Sequence, residues 1–298
     1  MDFQLGPEFA QHLDAEDELA SFRNAFVSTD LGLIYLDGNS LGRLPLGTVE
    51  RVQSVVGEEW GDGLIQSWNR GWYQAPGRLG DKIGRLLGAG SGQVAVSDST
   101  SVNLYKLAMA ALAARPGRER IVSSRLNFPS DLYVLQGCIR TLGQQHLLHL
   151  VPSVVGVAVE TEALLDTIDE QTALVTLSHV TFKSGFMYDA AELTQWAHRK
   201  GALVLWDLSH SAGAVPIQLD DWGVDLAVGC TYKYLNGGPG APAFLYVRRD
   251  LQDELLSPIW GWFGQRAPFD FGLDYEAAEG MARFLAGTPP VLSLLAME

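Results

Sequence analysis

The sequence predicts an α/β protein with a mostly parallel, doubly wound sheet and helices on both faces. Two observations carry the prediction. From Val94 onward, short β-rich apolar runs alternate with segments of helical apolar spacing. Strands joined by helices of that length have room to cross over and pair in parallel, whereas antiparallel neighbours need only short turns.

The elements follow in order. The first ninety residues read as helices and loops, with helical spacing in "EFAQHLDAEDELASFRNAF" and again, after Pro45, in "LGTVERVQSVVGEEW". Then "QVAVSD" reads as a strand leading to the helix "VNLYKLAMAALAA", and "RIVSS" leads to "DLYVLQGCIRTL". "TALVTLSHV" precedes the helical "DAAELTQWAHRKG", and "ALVLWDL", "DLAVGC" and "AFLYVRR" complete the strands. No fixed-period repeat or low-complexity linker interrupts them.

Bulk properties narrow the function classes. A chain of 298 residues holds one large α/β domain, or one with a smaller lobe. The formal net charge of −14 disfavours nucleic acid and anionic membrane as partners. Cys138 and Cys230 are the only cysteines, too few for a disulfide framework or a four-cysteine metal site, and no metal is expected. The acidic N-terminal stretch is unlike a basic presequence, and no apolar run approaches the ~20 residues of a membrane span. A cytoplasmic protein is the expectation.

Sheets of this kind place ligands beyond the carboxyl ends of their strands, so the candidate site is sought there. After "QVAVSD", Ser99, Thr100 and Ser101 open a helix whose free amides suit a cap or a phosphate. After "RIVSS" comes "RLNFPSDLY": Phe128 before Pro129 is extended, and Asp131, two residues after Pro129, is placed to cap the helix that begins there. Ser178 and His179 end "TALVTL". Asp207 ends the most apolar strand, where a carboxylate requires a cationic partner, and His210 follows three residues on. Lys233, in "TYKYLNGGPG", lies in the same crevice; it is either a snorkelling surface residue or an amine held for chemistry.

Singly, each feature has a duller explanation. Jointly, an aromatic face, a buried carboxylate, a lysine and a hydroxyl-rich helix end are the parts that hold pyridoxal 5'-phosphate. The lysine forms the Schiff base, the aspartate keeps the pyridine nitrogen protonated, and the helix end takes the phosphate.

The blocks "YLDGNSLGRLP", "SDSTSVNLYKL", "NFPSDLY", "DLSHSAGAVP" and "GCTYKYLNGGPGAPAF" resemble, in order and wording, those of the kynureninase family. These are fold-type-I pyridoxal phosphate enzymes of the aminotransferase class V superfamily. The resemblance runs from about Leu36 to "AGTPPVLSLLAME" and implies a mostly parallel, seven-stranded type of sheet. It implies hydrolysis of L-kynurenine or 3-hydroxykynurenine to anthranilate or 3-hydroxyanthranilate and L-alanine, in tryptophan catabolism and NAD biosynthesis. By position it implies Lys233 as the Schiff-base lysine, Asp207 on the pyridine nitrogen, and Tyr232 as a proton donor or shuttle. Phe128, Pro129, Ser130 and Asp131 would flank the ring, and Thr100, Ser101, Ser178, His210 and Tyr232 would reach the phosphate side. Trp262 and Thr288 match positions contributed across a homodimer, and Ser40 matches a substrate contact.

The resemblance divides the chain into an N-terminal helical segment, 1–60, belonging to the small domain or dimer arm, and a large cofactor-binding domain, 61–298. Relatives continue for roughly a hundred residues more, so an incomplete small domain is expected, without its arginine for the substrate α-carboxylate. The alternative is a shortened cofactor-binding relative without kynureninase activity. Phe182 stands where a tyrosine is common, and Gln265 where a histidine is. Two other readings fare worse. "GNSLG" fits a G-x-S-x-G elbow at Ser40, but Arg43-Leu44-Pro45 intervenes where a helix must start. "NGGPG" lacks the lysine-serine or lysine-threonine pair of a phosphate loop.

Overall fold

A computed structural model describes residues 5–28, 30 and 32–298. Seven strands form one sheet: β1 (Val94–Val96), β2 (Arg120–Ser124), β3 (Leu147–Val151), β4 (Thr172–Ser178), β5 (Leu203–Asp207), β6 (Leu226–Gly229) and β7 (Phe244–Val247). Their order is β1-β7-β6-β5-β4-β2-β3. β3, β2, β4, β5 and β6 pair in parallel, and β7 alone runs antiparallel to both of its neighbours. The mostly parallel sheet expected from the alternating pattern is therefore the sheet observed.

Buried strands of this kind must be apolar on both faces. Ala95, Ile121, Leu205, Val228 and Leu245 face α4 (Thr100–Ala113) and α5 (Pro129–Thr141), meeting Leu104, Leu107 and Leu135. The alternate residues Val96, Val122, Val204, Trp206, Ala227 and Phe244 face the other layer. There they meet Leu79 and Ile83 of α3 (Ala75–Leu86), Leu164 of α6 (Thr161–Thr167), Leu193 of α7 (Ala190–Arg199) and Leu294 of α8 (Val291–Leu295). Each such side chain contributes about 1.5–3 kcal/mol through burial. Trp206, fully buried, still finds a partner for its indole N–H in Thr194 Oγ1 at 3.2 Å.

Helix starts are chemically specified. Ser99 Oγ accepts from Val102 N at 3.4 Å to cap α4, and Asp189 Oδ1 accepts from Glu192 N at 2.8 Å to cap α7. Pro129 occupies the first turn of α5, where its missing N–H costs nothing. Before the sheet, α1 (Pro7–Ala15) buries no residue, and α2 (Leu46–Ser54) widens into a π-helical run over Val55–Asp62. Among the described residues, no helix is long and apolar enough to cross a membrane.

β3 and α6 were not anticipated. β3 is an edge strand in which only Val151 is buried, so "LLHLV" lacks the bounded apolar run that marks the central strands.

Candidate active site

Register brings the chemistry to one end of the sheet. Ser178 closes β4 directly opposite Asp207, which closes β5, and Asp207 lies opposite Val228 of β6. Five residues beyond Val228 is Lys233.

Lys233 sits on a turn whose backbone is held from several sides. Asn236 N donates to Lys233 O at 3.1 Å, and Gly237 N donates to Thr231 O at 2.9 Å. Asn236 takes a left-handed φ of 54°, which asparagine tolerates. From the N-terminal segment, Gly42 N donates to Tyr232 O at 2.8 Å. A Cβ on Gly42 would stand 2.2 Å from Lys233 O, so only glycine lets these two loops approach.

The side chain of Lys233 is turned into the crevice. Its Nζ lies 2.7 Å from His210 Nε2, 5.7 Å from the Phe128 ring centre and 5.9 Å from that of Tyr232. Burial, then the Lys233 charge, lowers the proton affinity of His210, which favours a neutral imidazole beside the amine. Phe128 is braced edge-on by Phe182 at 5.2 Å and keeps 41% of its surface open.

Asp207 is 5% exposed, and its Oδ1 accepts from Ser209 N at 2.9 Å. Asp131, 4% exposed, stands close enough to Asp207 for the two carboxyls to act on each other. Burial first, and Asp207 second, push the Asp131 carboxyl well above the usual carboxylate range, while Lys233 pulls the other way. Asn127 fixes both walls: its Nδ2 donates to Asp131 Oδ2 at 3.5 Å, and its Oδ1 accepts from Ser178 N at 2.7 Å. Above them the first turns of α4 and α5 meet, with Ser101 Oγ and Ser130 Oγ 3.1 Å apart.

The structure thus brings Thr100, Ser101, Phe128, Pro129, Ser130, Asp131, Ser178, Asp207, His210, Tyr232 and Lys233 to one end of the sheet, on its strand ends and the turns and helix starts that follow them. Ser40 is exposed in the turn that leads to Gly42. Beside it a cleft of about 330 Å³ runs between Tyr35, Gly42, Arg43 and the Lys233 turn. Trp262 and Thr288 stand together, with Trp262 Nε1 donating to Thr288 Oγ1 at 3.2 Å, among the rings of Trp68, Phe263 and Phe269. Neither contacts the side chains around Lys233. Asn127, Ser209 and Gly42 are site residues that the sequence reading passed over. In sequence, Asn127 is marked only as a polar amide three residues beyond the end of β2.

These residues fit pyridoxal phosphate on structural grounds. Two adjoining buried carboxyls with a single lysine beside them call for a further cation or N–H. Among the described residues, Ser178 Oγ is buried without a hydrogen-bond partner, an available bond for a bound group. The open face of Phe128 offers a stacking surface next to the Lys233 amine.

Comparison with known proteins agrees. The model of the aminotransferase class-V family matches residues 34–298. A kynureninase from Burkholderia pseudomallei is 47% identical over 296 residues, covering 98% of this chain and 69% of the relative. A kynureninase from Pseudomonas fluorescens is 47% identical over 291 residues, covering 96% of this chain and 68% of the relative. Among solved structures, a mutant of C-DES with glycine covalently linked to the PLP cofactor aligns with a TM-score of 0.76 at 19% identity, covering 90% of this chain and 70% of that one. Pyridoxal phosphate is the cofactor that membership of this family supports.

Proposed function

Since the chain belongs to the aminotransferase class-V family and, within it, to the kynureninases, we propose that it hydrolyses L-kynurenine or 3-hydroxykynurenine. The products are anthranilate or 3-hydroxyanthranilate and L-alanine. The observation that carries this reading is the Lys233 amine, 2.7 Å from His210 Nε2 and beside the buried Asp131–Asp207 pair and the Phe128 face.

When bound, pyridoxal phosphate serves as an electron sink for a carbanion next to nitrogen. The chain supplies the rest. Asp207, its Oδ1 oriented by Ser209 N, would hold a proton at the pyridine nitrogen. Phe128 would stack on the ring with Asp131 close by, and Thr100 and Ser101, at the start of α4, would hold the phosphate with help from Ser178, where helix-end amides favour an anion. Lys233 Nζ acts as base at the substrate α-carbon, with His210 Nε2 beside that amine. Burial, then Cys230, pushes the Tyr232 phenol up to about 12, so it stays protonated and serves as a donor. Ser40 lies on the side from which substrate enters.

The working form in this reading is a cytoplasmic homodimer in which Trp262 and Thr288 of one copy complete the site of the other. The hydrogen-bonded pairing of those two residues on a partly exposed aromatic patch supports it. Residues 1–60 form the arm and 61–298 the cofactor domain. A second reading, cofactor binding without kynurenine cleavage, has one observation in its favour. Among the described residues, no arginine is hydrogen-bonded to or stacked on the groups around Lys233 and Asp207; Arg43, in the adjoining cleft, lies over the Tyr35 ring at 5.3 Å.

An absorbance scan with added pyridoxal phosphate, on parent and Lys233→Ala proteins, tests the core of the proposal. The parent should show the visible band of lysine-bound cofactor and the variant should lack it. A band that survives the substitution overturns the assignment. Anthranilate fluorescence on adding kynurenine then separates the two readings.

A further inference from the structure

Lys106 is fully buried in α4, yet it plays no part in the chemistry above. Its Nζ donates to Asp98 Oδ2 at 2.7 Å and to the backbone carbonyl of Phe284 at 2.7 Å. A lysine so placed costs more than a methionine or leucine of similar volume if packing alone is at stake. What the ammonium secures is Asp98, the residue immediately before the N-cap of α4.

Asp98 adopts a left-handed φ of 51°, a conformation that reverses the chain from β1 into the helix. Its carboxylate also accepts from Ser97 Oγ at 2.8 Å, and its backbone carbonyl accepts from Ala243 N at 2.8 Å. Asn103 Nδ2 donates to Ser97 O at 2.7 Å from one turn into the helix. The turn that presents Thr100 and Ser101 is therefore clamped from β7 and from α4. Among the described residues, Lys106 is the only cation hydrogen-bonded in the clamp. A carboxylate at this position would repel a phosphate at the helix start unless its charge were neutralised close by.

We propose that Lys106 is a positioning residue for the phosphate of the cofactor: it anchors Asp98, fixes the entry turn of α4 and cancels the carboxylate charge beside the anion site. The proposal rests on the assignment of Thr100 and Ser101 to the phosphate. Lys106 is too deeply buried to touch the cofactor and acts through Asp98. Its effect should therefore depend on the phosphate and not on the ring.

The test compares pyridoxal 5'-phosphate with pyridoxal, titrated against the full chain by absorbance and intrinsic fluorescence. In Lys106→Met, affinity for the phosphate ester should fall about tenfold or more, the scale of losing support for a charge-assisted contact, while pyridoxal binding holds. In Lys106→Met combined with Asp98→Asn, which removes both charges and keeps a residue tolerant of left-handed φ, most of the loss should be recovered. Should Lys106→Met not fold, Lys106→Gln, which keeps a neutral donor, supplies the same comparison. Equal losses for the two ligands, or no recovery in the double variant, overturn the proposal. A parent protein that binds neither ligand overturns instead the cofactor-site assignment on which it rests.

Discussion

Asp131→Asn should make the cofactor-free protein more stable at pH 8, although it removes a residue of the site. Asp131 is 4% exposed, stands close to the Asp207 carboxyl, and receives only a 3.5 Å contact from Asn127 Nδ2. Two like charges in close approach repel by up to about 4 kcal/mol at an effective dielectric of ~20, which sets the upper scale for this pair. Lys233 attracts both carboxyls and offsets part of this. A carboxylate in the first turn of α5 also gains about 0.3–1 kcal/mol from the helix dipole, which asparagine forgoes. The balance leaves asparagine ahead by about 1–3 kcal/mol. Because burial and Asp207 raise the proton affinity of Asp131, the folded chain binds more protons than the unfolded one above the ordinary carboxyl value. Stability of the parent therefore falls as pH rises from there through the raised value, and the full penalty is present only above it. Only as pH falls below the ordinary carboxyl value, near ~4, does Asp131 become mostly protonated in both states, so the difference between parent and variant should shrink towards pH 4. Urea denaturation at pH 4, 6 and 8 reads this directly. An asparagine variant no more stable than the parent at pH 8, or an advantage that does not shrink towards pH 4, would refute the reasoning.

Gly42→Ala should destabilise the fold by about 1–3 kcal/mol, since its Cβ would stand 2.2 Å from Lys233 O and 2.3 Å from Asn236 Oδ1. Thermal unfolding checks this, and an unchanged midpoint would mean that the two loops do not press together. Cys138 and Cys230 are both buried, with burial pushing the Cys138 thiol up to about 12 and raising Cys230 as well. Ellman's reagent at pH 8 should therefore leave the native protein unmodified over minutes and titrate both thiols in urea. Rapid native reaction would contradict that burial.

How far the sequence could be read depended on whether local chemistry or remote packing decided a feature. Central strands such as "ALVLWDL" announce themselves because both faces are buried, and Asp207 is legible because a carboxylate ending such a run needs an explanation. The edge strand β3 escaped notice because "LLHLV" is covered on one side only. Lys233 alone is ambiguous in sequence, and its neighbours at the strand ends are what favour the chemical reading. Asn127 and Ser209 stayed hidden because their work is to orient two carboxyls, and that is a matter of three-dimensional approach. Lys106 was masked by its setting: a lone lysine in "VNLYKLAMAALAA" reads as the solvent edge of a helix, and only the fold reveals that its ammonium lies inside.

The pinned turn around Lys233 has a dynamic consequence. With Tyr232 O held by Gly42, Thr231 O by Gly237 and Lys233 O by Asn236, the backbone beneath the amine has little freedom to travel. What can move is the four-carbon stem, by rotation about its own single bonds. Rotamer hops of this kind take picoseconds to nanoseconds, far faster than loop or lid motions in the microsecond to millisecond range. The amine can thus leave and regain its place beside His210 by motion of its own stem, without any segment of chain opening.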